Sequence, residues 1–430
     1  MKTLLRKLAV ASCAALLLAS ALAVQAQSLP PEVQVGTRVV NDFEFDWGRD
    51  GTYCASCNYG AGNNRLTYID QQGNVWVSHI DVTTGNFVPG NGKETLVDTN
   101  AVPAQAIGNG SEWVGLPSAS ALVYTRKNES VPGDTCVGLA KVNTSGAWSG
   151  GCVPATGGGK LPLGTAIVGD AYPMMSFQDQ SDSGGTSIYW QLLSWQSTPQ
   201  LVLDDNGTLQ SRRWIPGTHA MLLAASAPPD QSGNVYQQIF LYSTDDGSLQ
   251  QLTFDPSSKN SAFMWQAPEF NNTYVFLAVR ANGKEIDIYR YLPDGSGASS
   301  WRVTKRIQST PDYPYIISPE PFVYQGRSWV FFEVDAAQRQ RGSYAAGQIA
   351  ISGIQTGIST FRMLTADTGP DIHTRRDPEY YITANGPYIY YNRAVLSDGT
   401  PTSEGVFRVD TGLGAPESAA VRAPVANGSR

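Results

Sequence analysis

The sequence predicts an all-β chain closed into a single β-propeller of about seven four-stranded blades, with six and eight as the neighbouring counts. Three observations predict it. A unit built on a glutamate, an aromatic residue, a turn and an alternating aromatic and β-branched strand recurs along the chain. Hairpin turns such as DGSG, DDGS, TTGN and DTG separate its short apolar runs. Between residues 30 and 415 no stretch sustains a helical period with caps.

At the start, Lys2, Arg6 and Lys7 precede an apolar run that closes on the small-residue pattern Val24-Gln25-Ala26. That is the pattern of a secretory leader, residues 1–26, cut after Ala26. The run is too short for a retained membrane span, and none of ~20 apolar residues follows. The expectation is export, to the periplasm or beyond the cell. Cys13 leaves with the leader, and the other four of the five cysteines are then expected in disulfides. Cys136 and Cys152 flank a hairpin-like stretch, and Cys54 and Cys57 could close a tight loop; sequence leaves the pairing open. A lone C-x-x-C without a second ligand pair is weak for zinc.

The propeller is expected over residues 27–415. Its clearest units are 266–279 (QAPEFNNTYVFLAV), 317–334 (ISPEPFVYQGRSWVFFEV) and 376–392 (RDPEYYITANGPYIYYN). Weaker copies lie at 109–125 and 41–70, and degenerate ones at 170–191 and 211–225. Unit starts therefore fall near Glu44, Glu112, Pro173, Trp214, Glu269, Glu320 and Glu379. The last unit runs out before an outer strand, into a tail at 416–430. VQVGTRVV, residues 33–40, is the natural donor of that strand, which would seal the ring and remove its open edges.

These units resemble the TolB-like, PD40 type of propeller repeat. PEF (268–270) and PEY (378–380) stand for its opening, and QQLTF (250–254) and RVTKR (302–306) for its Leu-Thr ending. Asn-Asn or Ala-Asn-Gly replaces its Ser-Pro-Asp-Gly turn, and the second to fourth units match poorly. The resemblance implies a propeller fold and an exported or envelope role. It does not fix a function, because the scaffold carries hydrolases, lyases, lectins and adaptors.

Loss of the leader's three cations moves the formal charge from −7 to −10, against a nucleic-acid partner or an anionic membrane surface. The repeated glutamates, Glu44, Glu112, Glu269, Glu320 and Glu379, read first as acceptors for backbone N–H groups. The sharper reading is a carboxylate ring at the funnel mouth, holding a sugar or a cation such as calcium; no cofactor is otherwise expected.

Outside the repeat stand His373, Arg375 and Arg376 in DIHTRRDPEYY, and the other charge-dense unit entry is SRRWIPGTH, with Arg212, Arg213, Trp214 and His219. His79 reads as an ordinary strand residue. Arginine forks could grip a uronate while a histidine or tyrosine takes the α-proton, which makes His373, Arg376, Tyr381, Arg213 and His219 the candidate catalytic set for a lyase. The same arginines could equally pair with Asp371, Asp377 and Glu379. A glycosidase pair could be drawn from Asp42, Glu44, Asp46, Asp50 and Glu112. The aromatic loop at 42–65 offers Trp47, Tyr53 and Tyr59, which with Trp214 and Glu112 form the candidate substrate-binding set. Two functions follow as expectations: a propeller engaging, or cleaving, a carbohydrate at one face, or a non-catalytic propeller contacting an envelope protein.

Overall fold

The structure is a computed structural model. It describes residues 29–46, 64–88, 94–103, 110–115, 120–143, 145–154, 156, 161–165, 174–179, 186–193, 197–205, 210–293, 298–338, 344–357 and 360–414. The leader, the tail and the loop carrying Trp47, Tyr53, Cys54, Cys57 and Tyr59 lie outside these residues.

Seven four-stranded antiparallel sheets follow one another as the blades of a propeller. Their inner strands are Val40–Phe45, Glu112–Gly115, Leu161–Thr165, Gln210–Trp214, Lys259–Ala267, Tyr315–Tyr324 and Ile372–Thr383, which open blades one to seven in turn. In blade seven Gly386–Ser397 is the second strand and Thr400–Asp410 the third, and turn chemistry sets their register. Asp398-Gly399 shows how: both residues take positive φ (51° and 76°), the condition of a tight hairpin turn between Ser397 and Thr400.

Closure follows the expectation. Val33–Gly36 pairs antiparallel with Thr400–Asp410 and supplies the outer strand of blade seven. Behind that joint, blades seven and one share an aromatic core in which Phe45 lies 5.0 Å from both the Tyr381 and Tyr390 rings, and Phe87 stacks on Tyr390. In blade two the hairpin of Thr135–Val142 and Trp148–Cys152 carries a disulfide between Cys136 and Cys152.

Two unit starts need correction. In blade three the inner strand is Leu161–Thr165, and the segment expected to begin the unit, Met174–Asp179, is its second strand. In blade five Pro268–Phe270 forms a 3₁₀ turn after the inner strand, so the unit begins at Lys259. Pro268 suits the first turn of that short helix, whereas Pro319 and Pro378 lie within the inner strands of blades six and seven.

Six inner strands carry a register irregularity: between Val40 and Phe43, Pro162 and Thr165, Gln210 and Arg212, Asn260 and Phe263, Ile317 and Glu320, and Arg376 and Glu379. In blades five to seven the bulge holds Ser261, Ser318 and Asp377 at φ of 48°, 45° and 52°. Such backbone costs of order 1–3 kcal/mol where the residue is not glycine, and the flanking ladders must hold it. Each of the three sits two residues ahead of Phe263, Glu320 or Glu379. The bulge re-aims the side chain that follows it, here toward the axis on which the inner strands converge.

Candidate functional site

Aligned by their pairing to the second strand, the inner strands put equivalent residues at one height: Glu44 opposite Thr67, Glu112 opposite Val123, Arg213 opposite Leu222, Phe263 opposite Leu277, Glu320 opposite Phe331 and Glu379 opposite Tyr390. Arg213 of blade four reaches across the Phe263 ring, 4.8 Å from its centroid, and its Nη2 donates to Glu320 Oε1 at 3.2 Å. Burial opposes its charge, but Glu320, Glu112, Glu379 and Glu44 together hold the guanidinium above its ordinary value. Carboxylates from blades one, two, six and seven can act on one guanidinium of blade four only across the central channel.

This ring is unevenly charged. Burial pushes the Glu320 carboxyl up to about 7 against the pull of Arg213, with Glu112 and Asp377 adding to the rise. Glu112 is raised by the same desolvation, again opposed by Arg213. Arg213 and Glu320 nevertheless keep 40% and 20% of their side-chain surface open, which is the signature of a water-reached channel and not of a sealed core. Among the described residues no three His, Cys, Asp or Glu side chains stand close enough to hold a metal ion together.

Glu269 is not in the ring. Its carboxylate accepts from the Ser328 backbone N–H and hydroxyl, both at 2.9 Å, while Ser328 Oγ accepts from Trp265 Nε1 at 3.0 Å. For Glu269 the reading as a backbone acceptor describes the structure.

The DIHTRRDPEYY stretch belongs mostly to the closing seam. His373 Nδ1 lies 2.9 Å from Asp367 Oδ1, and Nε2 lies 3.5 Å from Glu404 Oε2. Arg375 is 1% exposed and donates to Glu32 Oε1 and Oε2 at 2.5 and 3.1 Å, to Asp367 Oδ1 at 3.0 Å and to the Gly347 carbonyl at 2.9 Å. Tyr391 donates to Glu32 at 2.8 Å, and Arg393 bridges Glu404 at 2.7 Å and Glu32 at 3.3 Å. Burial works against the charge of Glu32 and Asp367, but their partners, Arg375 foremost, hold both below the usual carboxylate range. Arg376 lies over the Tyr344 ring at 4.1 Å and opposes the burial that pushes Asp335 up to about 7. Tyr381 is fully buried in the core between blades seven and one, its phenol raised by desolvation.

His219 is elsewhere. It lies in the turn that leaves the inner strand of blade four, with Nδ1 2.8 Å from Asp245 Oδ1. His373 lies where the inner strand of blade seven begins. Inner strands of a closed ring run in one sense along the axis, so the two histidines stand at opposite ends. Trp214 donates from Nε1 to Ser176 Oγ at 3.1 Å and packs between blades three and four, and Arg212 reaches Gln178 at 3.1 Å, its guanidinium lowered by burial to about 10.

Of the expected site residues, then, the structure brings Arg213 and Glu112 together, and adds Glu44, Glu320 and Glu379 from the repeat. It parts them from His373, Arg376, Tyr381, His219 and Trp214. Of the seam partners, Glu32 is brought in only by ring closure, while Asp367, Arg393 and Glu404 meet their partners within blade seven and the segment that leads into it.

No protein-family profile matches the chain, and no curated protein matches it. Among solved structures it is similar to one assigned to TolB of Agrobacterium tumefaciens, at 16% identity over 64% of this chain and 84% of that one, with a TM-score of 0.37. It is also similar to puromycin hydrolase, at 14% identity over 88% of this chain and 54% of that one (TM-score 0.46). The WD40 propeller domain of Doa1 matches at 10% identity over 89% of this chain and 95% of that one (TM-score 0.40). The likeness concerns the fold.

Proposed function

We propose that this chain is an exported propeller of the TolB-like kind that engages a carbohydrate in its central channel, with the carboxylates there able to cleave it. The observation that carries the reading is the convergence of Glu44, Glu112, Arg213, Glu320 and Glu379 from five blades on one axis. A sugar ring presents adjacent hydroxyls that both donate and accept. Ionised carboxylates accept from them, and the guanidinium donates. A ligand spread over the ring suits glutamates too dispersed to share one metal ion.

Glycoside cleavage needs a proton donor and a second carboxylate across the bond. Glu320, raised to about 7, keeps a proton into the neutral range and is the donor in this reading. The channel supports hydrolysis better than elimination of a uronate, because four carboxylates around one guanidinium repel an acidic sugar and His373 is engaged by the seam.

The test is calorimetric titration of the mature chain with neutral, amino and uronate oligosaccharides, followed by assay for new reducing ends. Expected are binding of a neutral or amino sugar, its loss in Arg213→Met, and reducing ends that disappear in Glu320→Gln while binding persists. A chain that binds no glycan would sink the proposal.

A further inference from the structure

One outer strand differs from the rest. Ser299–Gln308 of blade five has ten residues, whereas the other six outer strands have four (Val33–Gly36), four (Thr95–Asp98), five (Trp148–Cys152), six (Gln200–Asp205), three (Leu249–Gln251) and two (Arg362–Met363). It is the last strand of its sheet and, among the described residues, pairs only with Glu285–Pro293. Half of its backbone donors and acceptors therefore point away from the sheet, a ready template for another strand. Beside its second half runs a groove of about 400 Å³, walled by Lys305, Arg306 and Gln308 on one side and by Thr356, Thr360 and Phe361 of blade six on the other.

The edge is also charged in one sign. Arg302, Lys305 and Arg306 are its ionisable residues, in a chain of net charge −7. Arg302 is exposed and turns to Ser300 Oγ at 3.2 Å; Arg306 bonds Asp287 at 2.7 Å yet leaves 43% of its side chain open. Lys305 reaches across the groove to the Gly353 carbonyl at 2.7 Å and to Thr360 Oγ1 at 3.3 Å. A second copy of this edge would set cations against cations, which neighbouring strands tolerate poorly. An extended segment bearing carboxylates would meet them favourably.

We propose that the outer edge of blade five is a docking site for an extended, acidic segment of a partner protein, added to Ser299–Gln308 as a fifth strand with its side chains in the groove. The mode is strand addition, in which main-chain pairing supplies affinity and alternate side chains supply selection. About five residues of partner would span the groove-lining stretch of the strand, at ~3.3 Å each. The proposal is independent of the sugar reading, since this edge lies at the rim and the carboxylate ring at the axis.

The probe is a fluorescein-labelled peptide alternating valine and glutamate, titrated into the whole chain and read by anisotropy and amide hydrogen exchange. Expected are binding at least about tenfold tighter than that of the valine–lysine peptide, slowed exchange confined to 299–308 and the groove, and loss of binding when proline replaces the central valine. Arg302→Glu with Arg306→Glu is expected to reverse the preference while glycan titration is unchanged. Equal binding of the two peptides, protection elsewhere, or no binding of the acidic peptide to the unaltered chain would overturn the proposal and leave the three cations as guards against edge aggregation.

Discussion

The closing seam and the central channel use the same residue types to opposite ends. At the seam, Glu32, Asp367 and Glu404 face Arg375, Arg393 and His373, and most contacts lie between 2.5 and 3.3 Å. In the channel four glutamates surround one guanidinium, whose hydrogen bond of 3.2 Å goes to Glu320. Carboxylates and guanidinia held at hydrogen-bonding distance hold a fold. Carboxylates gathered from several blades around one guanidinium that water reaches offer a ligand groups to bind.

The largest effect separating the two regions is expected from Arg375→Met. It strips half-buried Glu32 and Asp367 of their common partner and leaves Glu32 to Tyr391 and Arg393 and Asp367 to His373, so the cost is expected near the low end of that for breaking a buried pair, about 3 kcal/mol. Urea unfolding reads it. A loss below about 1 kcal/mol would mean that the seam is held by the aromatic core of Phe45, Tyr381 and Tyr390 alone. Arg213→Met is the matching change in the channel. There water reaches both partners, so the stability loss is expected to stay near that of an exposed pair, about 1 kcal/mol or less, while sugar binding disappears.

Protonation should also drive the two regions in opposite directions. Glu32 and Asp367 titrate below their ordinary values in the folded chain, so the stability they add is present above the usual carboxylate range and lost as pH falls through their lowered values. Glu320 behaves inversely. The unfolded chain ionises it near 4.5 and the folded one only near 7, so folding stability falls as pH rises through that window and levels above it. Glu320→Gln is expected to flatten the fall between 4.5 and 7 and leave the acid limb untouched. A slope unchanged in that variant would place the proton on another group.

Sequence made the ring legible because a propeller repeats its own grammar. The strand Gly386–Ser397 and the start at Glu379 are visible as alternation and turn chemistry, and the donor strand Val33–Gly36 as what the last blade lacks. Blade three was misplaced for a physical reason. Its inner strand LPLGT has neither the glutamate nor an aromatic residue, so only pairing with Met174–Asp179 reveals it. Glu269 was grouped with the ring because Pro-Glu-aromatic recurs there too, although the true counterpart in blade five is Phe263. In the seam, the dense run around His373 and Arg375 is visible in the sequence but Glu32 is not: Glu32 and Arg375 meet at 2.5 Å across nearly the whole chain, and no local pattern encodes that.

The smallest effect is the most discriminating. His373 is the residue that sequence reasoning most readily makes a catalyst, yet it lies 2.9 Å from Asp367 and 3.5 Å from Glu404, at the edge of a network that Arg375 and Arg393 already hold. Its side chain is 15% exposed, and removing it leaves Asp367 with Arg375 and Glu404 with Arg393. His373→Ala is therefore expected to cost under about 1 kcal/mol, as for a polar contact at the margin of solvent, and to leave glycan titration and any release of reducing ends unaltered. If activity instead vanished with the fold intact, chemistry would have to be moved from the axis to the seam, and the distinction between charges that close the ring and charges that await a ligand would fail at this residue.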